Sequence, residues 1–262
     1  HKENGGLSDA RNAGIRKSVG KYLAFVDGDD IVDKEYLQEL YRLIKLEDDI
    51  WVSIVGGVAF GENSKPKGNK ATFSKVTTSE EIVRKICLCD GIDHTAWGKL
   101  FLAELWKDFK YPVGKLYEDY LTTYRVLSKA DKIAYSDAKM YFYIQHNESI
   151  MHMKCSEKTL AVLDVADQET EFMLKTWPNI SDEIMNLKVR VYLKNLQQIL
   201  NSGMDDFPDY QIRIIKFIKT NSGYLLKSKK IRKAEKVKIL SLLISKKLFL
   251  KLYNKFDGNV AV

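Results

Sequence analysis

The apolar run Tyr22-Leu23-Ala24-Phe25-Val26 stops abruptly at Asp27-Gly28-Asp29-Asp30, and this junction constrains the fold more than any other feature of the chain. A continuous apolar run bounded by Gly20 and Asp27 predicts a strand buried on both faces. Beyond the acids, Val32, Tyr36, Leu37, Leu40 and Ile44 recur at helical spacing. The segment reads as strand, acidic turn, helix, a unit of α/β architecture. In open α/β sheets ligands bind beyond the carboxyl ends of the strands, where these acids fall. Carboxylates this close repel unless a cation offsets them, and hard oxygen ligands suit Mg2+ or Mn2+. The plainer reading is a helix start, with Asp29 or Asp30 as N-cap.

Upstream, residues 4–15 read as a glycine-bearing loop entering a short helix, with Ser8 as its N-cap. Downstream, Ile50 to Phe60 predicts one or two strands and Ser79 to Cys87 a helix capped by Ser79. Glu118-Asp119 opens a helix with Tyr120, Leu121, Tyr124 and Leu127 on its apolar face. Ile133 to Tyr135 and Met140 to Ile144 read as two short strands, and from about Thr159 the pattern is helical throughout. We therefore expect an α/β domain over residues 1–155 and a helical region over 156–262.

Charge divides the chain in the same sense. The net +7 combines +12 between Lys216 and Lys255, where Glu235 is the sole acid, with −5 elsewhere. The 262 residues, 45% hydrophobic, suffice for a substantial core and exclude a disordered tail or a disulfide mini-protein. Cys87, Cys89 and Cys155 are too few and too unevenly placed for a disulfide framework, which fits a reducing compartment. No apolar stretch approaches the roughly 18 to 20 residues of a membrane-spanning helix.

Several motifs occur together. Asn4-Gly5-Gly6-Leu7-Ser8-Asp9-Ala10-Arg11-Asn12-Ala13-Gly14-Ile15, the strand with its Asp27-Gly28-Asp29 turn, Trp97-Gly98-Lys99-Leu100-Phe101, Tyr117-Glu118-Asp119 and Ser149-Ile150-Met151-His152 follow one another in order. This series resembles the family-2 glycosyltransferases of the GT-A fold, especially bacterial enzymes of capsular, exopolysaccharide and wall-glycan synthesis. Trp97-Gly98-Lys99 departs from the family's Trp-Asn-Lys by a glycine.

The resemblance implies a Rossmann-like GT-A sheet and a metal-dependent, inverting hexosyltransferase that moves a sugar from a nucleotide diphosphate, most often UDP, to a glycan or lipid-linked hydroxyl. Asp119 is then the general base, with Glu118 its alternate. Asn4, Gly6, Arg11, Asp27, Asp29 and His146 face the donor, and Asp27, Asp29 and His152 hold Mn2+ or Mg2+. Trp97 lies on the acceptor side, and Arg11 either meets the donor or pairs with an acid to brace its loop. The family's first strand and its Asp-Asp-Gly-Ser type turn have no counterpart before His1. A longer native protein is therefore expected, with the present chain lacking part of the donor site and inactive alone.

The basic tail carries Ile231, Ala234, Val237, Leu240, Ile244 and Leu248 at three- and four-residue steps, with Lys247, Lys251 and Lys255 on one face. That pattern predicts a cationic amphipathic helix or helix pair, either packed on the body or lying on an anionic membrane at the cytoplasmic leaflet. A nucleic-acid-binding protein would use the same charge, but no binding motif is present and the acidic turn would be idle. A non-catalytic, sugar-binding or scaffold relative is the other alternative.

Overall fold

A computed structural model describes residues 3–61, 66–145 and 154–257. The chain folds as two compact units, residues 1–152 and 153–262. His146, Ser149, Ile150, Met151 and His152 lie outside the described residues, so the expectations for both histidines stay as stated above.

In the first unit helix α1 (Gly6–Lys17) leads to β1 (Tyr22–Ala24), β2 (Ile31–Val32) and α2 (Tyr36–Ile44). Then follow β3 (Ile50–Gly61), β4 (Ser74–Thr77), α3 (Ser79–Leu88), β5 (Lys99–Leu102), α4 (Glu118–Leu127) and β6 (Lys132–Gln145). The strands form one sheet in the order β1-β5-β3-β6-β2, with β4 also on β6. Among the described residues only β3 and β6 run parallel; the other pairings are antiparallel. On its edge away from β3, strand β6 serves two partners. Ile133 to Ser136 pair with β4, and Tyr141 and Phe142 pair with β2. The acidic turn joins β1 and β2, the two ends of this strand order.

Several local expectations are corrected. Strand β1 is only half-buried, because it sits at the end of the sheet and pairs with β5 alone, and Val26 beyond it is exposed. The helix after the acids starts at Tyr36, since Val32 is taken into β2 by pairing with Tyr141. Neither Asp29 nor Asp30 caps that helix; Glu35 occupies the N-cap position. Ser8 is buried inside α1, and the Gly6 N–H is met instead by Asn4 Oδ1 at 3.0 Å. Thr78, not Ser79, caps α3. Residues 132–145 form one long strand where two were expected, because β3 pairs along its whole length through bulges at Ile54/Gly56 and Gly56/Gly57.

Helix α2 shows why this sequence holds its place. Tyr36, Leu40, Leu43 and Ile44 fall on one face and are buried against the sheet, whereas Leu37 and Tyr41 face outward. Each such side chain contributes roughly 1.5–3 kcal/mol by leaving water. Ser53 Oγ donates to the Leu40 carbonyl at 2.7 Å, so its buried hydroxyl costs little. A cavity of about 520 Å3 opens beside β1, lined by Ile15, Lys21, Leu23, Leu102 and Trp106, and no acid of the turn lines it.

The second unit is helical: α5 (Glu157–Leu160), α6 (Val162–Thr176), α7 (Ser181–Ser202), α8 (Pro208–Lys227), α9 (Lys233–Ile244) and α10 (Lys246–Asp257). Its core joins Leu193, Leu196, Ile214, Ile239, Leu242 and Phe249. Within it Arg213 bridges Asp164 and Asp167 at 2.6 Å, and Glu235 pairs with Lys238 in the interior. The expected apolar stripe of the tail is therefore divided. Ile239 and Leu242 face the core, while Val237, Leu240 and Ile244 are turned to solvent. Helix α9 is apolar on two sides, and the side turned inward also carries Glu235 and Lys238, which meet as a buried pair. No helix of the described residues is long and apolar enough to cross a membrane, and no disulfide joins Cys87, Cys89 or Cys155.

Candidate active site

The site is organised by one buried cation. Arg11 lies on α1, and its side chain is only 7% exposed. Its Nη2 donates to Asp27 Oδ1 at 2.8 Å and its Nη1 to Glu118 Oε1 at 2.7 Å. The guanidinium also sits 5.2 Å from the centre of the Tyr111 ring. Burial alone would lower the Arg11 pKa, yet Asp27 and the nearby Tyr111 and Asp119 raise it, so the group stays a cation. Next to it, Asn12 reads both backbone groups of Tyr111: Nδ2 donates to its carbonyl at 2.8 Å and Oδ1 accepts its N–H at 2.9 Å. The Ala10-Arg11-Asn12 motif thus fastens three distant segments to α1. Sequence reasoning left open whether Arg11 braces its loop by pairing with an acid; it pairs with two.

Glu118 and Asp119 open α4, as the sequence predicts. The residue before them, Tyr117, has φ +62°, a left-handed conformation unusual for a bulky side chain and of the kind that collects at functional sites. Glu118 is committed to Arg11. Its carboxyl pKa is nonetheless raised, first by burial and then by the adjacent Asp119, which together outweigh the pull of Arg11. Asp119 accepts the Tyr120 N–H through Oδ1 at 2.8 Å, and the charges of Arg11 and the buried Lys99 both act on it. Of the two, Asp119 is the carboxylate not consumed by the clamp.

The turn itself divides its acids by role. Asp30 is a structural acid: Oδ2 accepts the Tyr141 hydroxyl at 2.6 Å and Oδ1 the Ile144 N–H at 2.9 Å. Burial raises its pKa against those hydrogen bonds. Asp27 gives one oxygen to Arg11, and Asp29 is exposed at the tip. Two aspartates with accessible hard oxygens fit a divalent cation, whereas Asp30 does not, having both oxygens occupied. Among the described residues no three His, Cys, Asp or Glu side chains converge as a ligand set.

Trp97 stacks on Tyr141, with ring centroids 4.3 Å apart and planes 8° from parallel. It fits because Gly57 has no side chain there; a Cβ at that glycine would lie 2.7 Å from the indole. Gly98 takes φ +73°, which accounts for glycine standing where the resembling family has asparagine, since both residues tolerate that region. Lys99 is 2% exposed and points Nζ at the Thr95 carbonyl, 2.8 Å away, and at that of Trp97, 3.4 Å away. Burial lowers its pKa, against the pull of Asp93 and Asp119. Asn12, Lys99, Tyr111 and Tyr141 were not singled out from sequence. Asn12 and Lys99 stood inside quoted motifs, but Tyr111 and Tyr141 gave no signal beyond apolar patterning.

Residues 1–101 match the profile of glycosyl transferase family 2. Over these residues the chain is similar to the family-2 glycosyltransferases. Glycosyltransferase GlyA of Streptococcus pneumoniae is 27% identical over 180 residues, covering 63% of this chain and 25% of the relative. Glycosyltransferase GlyG of the same organism is 28% identical over 165 residues, covering 58% of this chain and 53% of the relative. This chain thus spans between a quarter and about half the length of those two relatives. Among solved structures, Staphylococcus aureus TarS 1–349 in complex with UDP-GlcNAc superposes with a TM-score of 0.64 at 17% identity, covering 98% of this chain and 74% of TarS. The likeness to TarS shows the GT-A fold that the motifs led us to expect.

Proposed function

We propose that the first unit is the catalytic part of a metal-dependent, inverting glycosyltransferase that moves a sugar from a nucleotide diphosphate to a hydroxyl of a glycan or lipid-linked acceptor in bacterial surface polysaccharide synthesis. The observation that carries this reading is the Arg11 clamp. One buried guanidinium joins the acidic turn to the start of α4, so that a donor-binding element and a candidate base share a site. A UDP-sugar donor is supported by TarS, whose structures hold UDP-GlcNAc or UDP.

In this mechanism Asp119 takes the acceptor proton as the hydroxyl attacks the anomeric carbon. It stands in the first turn of α4, outside the Arg11 clamp that holds Glu118. Asp29, and Asp27 through the oxygen Arg11 leaves, would hold Mn2+ or Mg2+ together with His152. When bound, that cation would supply positive charge to offset the negative charge of the leaving nucleotide diphosphate. Asn4 and Gly6 shape the donor side of the loop before α1, and His146 meets a phosphate. Trp97 presents the part of its ring not covered by Tyr141 to the acceptor sugar. The exposed Val237, Leu240 and Ile244, flanked by lysines, rest on anionic lipid at the cytoplasmic leaflet, near lipid-linked acceptors.

The test is transfer or hydrolysis of UDP-sugars by the chain and by an upstream-extended form, with Mn2+, with Mg2+ and with a chelator. Asp119→Asn should cost about 10²–10⁴ in rate while leaving the fold intact. Full activity in Asp119→Asn, or activity indifferent to chelation, would reject the mechanism.

A further inference from the structure

We infer that Tyr141 is a positioning residue for the acidic turn, setting where Asp29 is presented through its bonds to Asp27 and Asp30. Within the turn the Asp30 N–H donates to the Asp27 carbonyl at 3.2 Å, and its carboxylates repel one another. Groups outside the turn add to its hold. The Tyr141 hydroxyl accepts the Asp27 N–H at 3.1 Å and donates to Asp30 Oδ2 at 2.6 Å, so one oxygen pins the residues on both sides of Gly28-Asp29. Ile144 N–H, on the same strand, takes the other oxygen of Asp30. Only a hydroxyl that donates and accepts at once can make this bridge.

The phenol has little freedom of its own. Its backbone is in register with Val32 of β2, its ring lies flat on Trp97, and Tyr36 meets it edge-on at 6.1 Å. Trp97 is fixed in turn by Lys99 on its carbonyl and by the space Gly57 leaves. Tyr36 accepts the Gly98 N–H at 3.0 Å. The Trp97-Gly98-Lys99 segment therefore supports the acidic turn through Tyr141, a role separate from any contact with an acceptor. The consequence for donor binding rests on the proposed function above; the holding of the turn does not.

Hydrogen exchange on the 262-residue chain separates the two. Tyr141→Phe keeps the ring on Trp97 and removes the bridge. We expect the Asp27 and Ile144 amides to exchange about tenfold faster, with α2 amides unchanged, as the loss of one ordinary hydrogen bond predicts. Calorimetry with UDP and Mn2+ should show affinity falling by about the same factor. Unchanged exchange at Asp27 and Ile144 overturns the proposal, whatever the calorimetry shows. If the wild-type chain binds no UDP with Mn2+, the donor-site reading fails and exchange still decides the role of Tyr141. Should Tyr141→Phe not fold, Asp30→Ala cuts the same bridge at its other end, with faster exchange at Asp27 expected and unchanged exchange overturning the idea.

Discussion

Arg11 Nη1 stands 2.7 Å from Glu118 Oε1, and this pair ties helix α1 to helix α4 across a sequence separation of 107 residues. Both side chains are nearly buried, so the attraction operates where water screens it little. The same guanidinium holds Asp27, which makes it the shared anchor of two motifs.

Removing that anchor leaves two carboxylates without their cation. Arg11→Ala should destabilise the first unit by about 3–5 kcal/mol, the cost of breaking a buried ion pair from one side. Arg11→Lys should recover only part of it, because an ammonium cannot reproduce the two-way fork. Urea denaturation followed by circular dichroism checks both, and equal stability of Arg11→Lys and wild type would show that the fork is not needed.

The carboxyl of Glu118 has its folded pKa above the ordinary 4.5, from burial first and Asp119 second. Its unfolded form releases its proton more readily, so in the window just above 4.5 the native state holds more protons. Stability from this group is present below the unfolded pKa and falls as pH rises through the folded one. Measured against Glu118→Gln, the wild type should therefore gain stability as pH drops from 7 through that window. A stability difference that stays flat with pH would contradict the assignment.

Gly98 combines φ +73° with a close carbonyl: a Cβ there would lie 2.8 Å from the Val55 oxygen. We expect Gly98→Asn to be milder than Gly98→Val, because asparagine tolerates the left-handed region and a β-branched side chain does not. The loss for Gly98→Val should reach about 1–3 kcal/mol. Thermal unfolding of the pair orders them directly.

On the second unit, Leu240 and Ile244 are 50% and 75% exposed, beside the exposed lysines Lys247 and Lys251. Flotation with anionic vesicles should recover the wild-type chain at low salt and release it as salt rises. A Leu240→Asp, Ile244→Asp double variant should keep its melting temperature and lose vesicle binding. Salt-insensitive behaviour, or binding by the double variant, would remove the membrane role.

Periodicity and turn chemistry were enough to read the elements that depend on near neighbours. The strand before Asp27, the helix from Glu118 and the helical second half follow from spacing alone, because local backbone preference and one-sided burial act over a few residues. The acids of the site were legible for the same reason, as a charge cluster at a strand end is a local fact. Which acid does what was not legible. Asp30 is consumed by Tyr141 and Ile144, and Glu118 by Arg11, through partners about a hundred residues away.

Tertiary structure alone decided three things. It put β1 at the end of the sheet, since its burial depends on which strands lie beside it and not on its own hydrophobicity. It chose the inward face of α9, where two apolar faces were on offer, and on the buried face Glu235 and Lys238 meet as a pair. And it gave Tyr141, one tyrosine among 14, the hold on the acidic turn, because a hydroxyl acquires such a role only from the geometry of the groups that converge on it.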